Sequence, residues 1–152
     1  MPKFCGQEHC LIDRNGRIRL PARLLDDFLS FDEREVVVHC LPENALAVYP
    51  LAVWRQMRAD EPRPAARAGG SLAYRRQLRR FGAFTQSERL SNQGRITIPG
   101  LFRESLRLMP GETAVVVGCE IGVEVWNLAL WQREFAAIRD YENHRSQVEL
   151  AE

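Results

Sequence analysis

The residues best equipped for chemistry in this sequence are arginines gathered around two glycine turns. Arg14, Arg17 and Arg19 crowd the stretch Asp13-Arg14-Asn15-Gly16-Arg17-Ile18-Arg19-Leu20-Pro21. Arg89 and Arg95 crowd Ser91-Asn92-Gln93-Gly94-Arg95-Ile96-Thr97-Ile98-Pro99 and its approach. A guanidinium fork donates two parallel hydrogen bonds, which suits a phosphate or the guanine edge in the major groove. Asn15-Gly16 adopts left-handed turn geometry cheaply, and an aspartate at Asp13 accepts from amides two residues on. Each stretch therefore reads as a strand-turn-strand tip that holds arginines on a rigid support. The plainer reading of Arg17 is an ion pair with Asp13 that only locks the turn. The two roles coexist if the carboxylate orients the guanidinium. Arg14 and Arg19 have no such partner across the turn, so solvated arginine is their plain reading.

The elements that must position these turns occur twice. Gly16 and Pro21 recur as Gly94 and Pro99 at one offset of 78 residues, the mark of a tandem duplication. Residues 1–12 read as an opening strand with Phe4, Leu11 and Ile12 as apolar contacts. Arg17 to Leu20 alternate polar and apolar, which buries one face and leaves the other basic. Pro21 opens a helix over Ala22 to Leu29 with Leu24, Leu25, Phe28 and Leu29 inward. Val36-Val37-Val38-His39-Cys40 and Leu46 to Tyr49 read as strands joined by the turn Pro42-Glu43-Asn44. A short helix over Leu51 to Arg58 carries Trp54. Residues 60–70, rich in Pro, Ala and Gly, read as a linker. Ser71 caps a helix over Leu72 to Phe81 that bears Arg75, Arg76, Arg79 and Arg80. The second copy then repeats the order. Val115 to Cys119 echoes Val36 to Cys40, and Val125 to Trp131 echoes Val48 to Trp54. Its closing helix runs from Leu128 to about Tyr141, with a polar, frayed tail beyond. The divisions are a first repeat over 1–58, a linker and basic helix over 59–81, a second repeat over 82–141 and a tail over 142–152.

Composition sets wider bounds. The chain has 152 residues, 45% hydrophobic and 27% charged, ordinary values for a globular protein. Net charge is +1, so there is no bulk cationic field, and Lys3 is the only lysine. No window approaches the roughly 18 apolar residues of a membrane span, and the N-terminus lacks a signal-peptide core. A cytoplasmic protein is expected, with Cys5, Cys10, Cys40 and Cys119 reduced.

At these motifs the sequence resembles the MraZ family, within the AbrB-like swapped-hairpin group. Phe4, Gly6, His9 and Asp13-x-x-Gly16-Arg17 are similar to that family's N-terminal signature. Tyr49-Pro50-Leu51 with Trp54, Gly94-Arg95-Ile96-x-Ile98-Pro99, Val116-Val117-Gly118 and Glu124-x-Trp126 are similar to its later segments. The resemblance implies an α+β, mainly β fold: a double-split β-barrel of two AbrB-like repeats with short flanking helices. It implies a non-enzymatic transcriptional regulator of the division and cell-wall gene cluster. That regulator would be a ring-shaped homo-oligomer on short promoter repeats of double-stranded DNA. Carried over, Arg17 and Arg95 become the leading DNA contacts, with Arg14, Arg19 and Arg89 beside them. The second block has Ser91 where the family usually has Asp. Serine still caps the turn but cannot pair ionically with Arg95, so the first tip carries more weight.

The residues for other chemistries are present but poorly spaced. Cys5, His9, Cys10, His39 and Cys40 would form a metal site if their strands converged, but Cys5-x-x-x-His9-Cys10 is not a standard zinc spacing. A Cys–His nucleophile has no local motif here, and no phosphate loop or dinucleotide fingerprint appears. No cofactor, metal or small-molecule substrate is expected. An assembly module without DNA binding would use Tyr49, Trp54, Trp126 and Trp131 at subunit contacts.

Overall fold

The computed structural model describes residues 3–60 and 64–151. In chain order the elements are β1 (Gln7–Leu11), β2 (Arg17–Arg19), α1 (Ala22–Leu29), β3 (Glu35–Cys40), β4 (Leu46–Pro50), α2 (Leu51–Ala59), α3 (Pro64–Ala68) and α4 (Leu72–Ala83). There follow β5 (Thr85–Arg89), β6 (Arg95–Thr97), α5 (Gly100–Leu106), β7 (Thr113–Gly118), β8 (Val123–Asn127) and α6 (Leu128–Ala151).

The strands form a six-stranded antiparallel sheet, β1-β7-β8-β4-β3-β5, and a two-stranded ribbon of β2 with β6. This is an α+β, mainly β architecture whose wall is split between a large sheet and a small one. Only β3–β4 and β7–β8 pair within a repeat. β1 pairs with β7, β5 with β3, β4 with β8 and β2 with β6, so the two copies are laced together.

The main core lies between sheet and ribbon. Val36, Val38, Val48, Val116 and Val125 meet Ile18 and Ile96, all at most 1% exposed. The helices α1 and α5 complete it with Leu24 and Phe28, and with Phe102 and Leu106, the same two positions 78 residues apart. A second cluster of Ala45, Val115, Trp126 and Trp131 covers the other face of the sheet. Burial on both faces explains why β3 and β7 read as unbroken valine runs rather than alternating strands. Pro21, Pro50 and Pro99 each sit just before a helix with φ between −54° and −55°, the value the ring imposes.

Four local expectations change. The opening strand is shorter: Phe4 has φ +52° and stacks edge-on against Phe28 at 4.8 Å, so the chain bends before Gln7. The supposed hairpins are not hairpins beyond the turn, because β1 and β2 take partners in different sheets. Of the linker, residues 61–63 lie outside the described residues, and the described part holds the short helix α3. The last helix continues to Ala151 rather than ending near Tyr141, since 141–151 contains no Gly or Pro to stop it.

Candidate nucleic-acid interface

The first turn is built by Asp13. Its Oδ1 accepts from the amides of Asn15 at 2.8 Å and Arg17 at 3.0 Å, and its Oδ2 accepts from Arg17 Nε at 3.2 Å. The amide of Arg17 above all, with help from Asn15 and the guanidinium, holds this carboxyl below its ordinary value. The Asp13 amide donates to the Arg17 carbonyl and the Gly16 amide donates to the Asp13 carbonyl, closing the loop. The second turn copies this with a shorter residue. Ser91 Oγ accepts from the amides of Gln93 at 3.3 Å and Arg95 at 3.0 Å. The capping role of Ser91 is as expected, and no carboxylate stands against Arg95 among the described residues.

The two turns feed the ribbon. Ile18 faces Ile96 at its centre, with Arg17 opposite Thr97 and Arg19 opposite Arg95. The isoleucines are buried, so alternation turns Arg17, Arg19, Arg95 and Thr97 to the opposite face. Gly94 O accepts from the Leu20 amide and Gly16 O from the Ile98 amide, which ties each glycine to the strand of the other repeat. Three of the sequence-selected arginines thus share one surface, with Arg14 exposed on the adjoining first turn. Arg89 stands apart: it is on the edge strand β5, opposite Glu35.

Sequence reasoning missed two supports. Arg103, on α5, donates from Nε to the Ile98 carbonyl and from Nη2 to the Asn15 carbonyl, both at 3.0 Å. A methyl on Gly16, which has φ +74°, would land on that guanidinium. Arg34 Nη1 donates to the Ser91 carbonyl at 2.9 Å. Arg103 aligns with Leu25 in the duplication, and Leu25 is what a methyl on Gly94 would strike. The sequence carried a weak signal, Arg103 in one copy against Leu25 in the other, but Arg23 against Leu101 is a mismatch of the same kind.

The metal and nucleophile candidates do not gather. His9 and Cys10 lie on β1, His39 and Cys40 on β3, and β7, β8 and β4 stand between them. Among the described residues no group of three or more His, Cys, Asp or Glu is placed to hold a metal ion. Burial pushes the Cys10 and Cys119 thiols up to about 11, helped by Glu8 and Glu124 respectively, and pushes Cys40 up as well. Those thiols stay protonated near neutrality and are poor nucleophiles. Tyr49, Trp126 and Trp131 are buried within the chain, and Trp54 stacks on Phe81 at 5.3 Å. Among the described residues no helix is long and apolar enough to cross a membrane.

The fold and this surface define an α+β, mainly β protein of two interlaced repeats with an arginine-faced ribbon. The family model described as MraZ protein matches residues 4–68 and 82–149. Proteins named transcriptional regulator MraZ are similar along most of the chain. One from Moorella thermoacetica is 35% identical over 130 residues, covering 85% of this chain and 84% of its own. One from Salinispora tropica is 32% identical over 137 residues and covers 90% of both. One from a Marinomonas species is 32% identical, covering 86% of this chain and 84% of its own. The chain belongs to the MraZ family.

Proposed function

We propose that the protein is a sequence-specific DNA-binding transcriptional regulator of the division and cell-wall gene cluster. It binds short promoter repeats as a ring-shaped homo-oligomer in the cytoplasm, on the nucleoid. The observation that carries this reading is the row of Arg17, Arg19 and Arg95 on the outer face of the β2–β6 ribbon, with Asp13 the one carboxylate paired to it among the described residues. A two-stranded ribbon fits the major groove, where arginine forks read guanine or grip phosphate. The names of the relatives support the regulatory role.

The first tip leads. It adds exposed Arg14 to the row, and Arg103 braces it from below. The second tip has neutral Ser91 and sits beside Glu35 through β5. Assembly finds support in Leu101, 92% exposed, and in the exposed Phe135, Ile138 and Tyr141 of α6. A ring makes several weak contacts act together through effective concentration.

The test is binding of the full chain to the DNA upstream of its own gene. Arg17→Ala abolishes operator binding and leaves assembly and fold intact. Unchanged affinity in that variant removes the first tip from the interface. An assembly module without DNA contacts would show no operator binding at any salt, whereas phosphate contacts weaken steeply as salt rises.

A further inference from the structure

Charge is segregated within this nearly neutral chain. Residues 51–83, which span α2 to α4, hold eight arginines and two acids, Asp60 and Glu61, for a net +6. From totals of 21 basic and 20 acidic residues, the remainder holds 13 and 18, for a net −5.

Among the described residues no ion pair cancels the positive charge of α2 to α4. Among the described residues the ion pairs are Arg17–Asp13 and Arg145–Glu149, and neither lies on α2 to α4. Four arginines of this stretch are held by neutral groups instead. Arg58 lies over Phe81 at 4.2 Å and Arg67 over Tyr74 at 4.3 Å. Arg75 donates to the Ala68 carbonyl and Arg80 to the Cys40 carbonyl. These contacts position the guanidiniums without neutralising them. In front of this shelf Arg76 and Arg79 are exposed, three residues apart and so on one side of α4.

This surface is separate from the arginine ribbon. α4 ends where β5 begins, with Thr85 opposite His39. The second turn follows the other end of β5, where Arg89 lies opposite Glu35. Four residue steps of strand, about 13 Å, separate the two ends.

We propose that the outer side of α4, centred on Arg76 and Arg79, is a second, sequence-independent phosphate-binding surface for duplex DNA. The choice of DNA rests on the functional reading above. An acidic protein partner is the less suited occupant, because protein interfaces need an apolar centre. On α4 the only exposed large hydrophobic among the described residues is Leu72. Arginines that contact phosphates supply affinity through counterion release and carry no base information.

The experiment titrates the full chain with a random-sequence duplex between roughly 50 and 200 mM salt. The double variant Arg76→Ala, Arg79→Ala is compared with the parent, each also in an Arg17→Ala background. Both side chains are exposed, so folding is preserved. The expected result is a fall of about 1.8 in the slope of log K against log salt, about 0.9 per lost contact, in both backgrounds. Arg76→Lys with Arg79→Lys restores the slope, because phosphate contact needs charge rather than a fork. An unchanged slope overturns the proposal. So does a change of oligomer mass with no change of slope, which would assign the surface to a protein partner. If the parent shows no operator preference and the slope still falls, the regulatory reading fails and this surface stands.

Discussion

At the scale of single residues, one position of the duplication separates the two turns. Asp13 and Ser91 cap the same amides, but only Asp13 places a carboxylate on the arginine that follows. Asp13→Ser therefore turns the first tip into a copy of the second. The amide caps survive, so the thermal melt moves little. Arg17 loses its orienting partner, so operator binding weakens while the salt slope stays the same, because no phosphate contact is removed. A reduced slope would mean that Asp13→Ser removed a phosphate contact, and would count against an orienting role. His39 offers a second test. Thr85 Oγ1 donates to the Phe81 carbonyl, so it accepts from His39 Nδ1 at 2.9 Å. Burial, then the charge of Arg80, lowers the His39 pKa from 6.5. Above 6.5 both folded and unfolded chains carry neutral His39. As pH falls below it, the unfolded chain takes the proton first and stability drops. The melting temperature should decline between pH 7 and the folded-state pKa, and His39→Gln should flatten that part of the profile. Parallel profiles for the two proteins would contradict this assignment.

At the scale of elements, the ribbon depends on its two isoleucines. Ile18 and Ile96 are directly opposite and at most 1% exposed. Ile18→Ala or Ile96→Ala should each cost about 2–5 kcal/mol. The double substitution should depart from additivity by about 0.5 kcal/mol or more, since the two share one contact. Urea unfolding of the four proteins measures this, and strict additivity would mean the ribbon is not packed as described. Much of this level was legible in the sequence. The limits of α1 followed from Pro21 and from the spacing of Leu24 and Phe28. The duplication was visible in Gly16 and Gly94. Strand partners were not legible. A tight turn states that the chain reverses, but whether the strands it joins then pair depends on residues far away. Here Ile12 gives its amide to Glu112 rather than to β2. Arg103 was hidden for the same reason, its bond to Asn15 spanning 88 residues.

At the scale of the molecule, the lacing of the repeats determines what can fold. Residues 1–58 contain β1 to β4, but within that segment the only pairing is β3 with β4, and β4 also needs β8. β1 needs β7, β2 needs β6, and β3 also needs β5. The core is divided likewise, with Ile18, Leu24 and Phe28 from one copy against Ile96, Phe102 and Leu106 from the other. A lone hairpin with one helix exposes most of that apolar surface, and a two-stranded hairpin is marginal in water. Residues 1–58 alone should therefore lack a cooperative thermal transition, and so should residues 82–152. Mixed at equal concentration, the two should regain strand signal in circular dichroism and melt as one unit, with a midpoint that rises with concentration. The mixture lacks α3 and α4 up to Phe81, so its recovery would also show that the helix bearing Arg76 and Arg79 is dispensable for folding and free to serve binding. If either half alone melts cooperatively with native-like amide shifts, the cross-repeat pairing is not what holds the fold together.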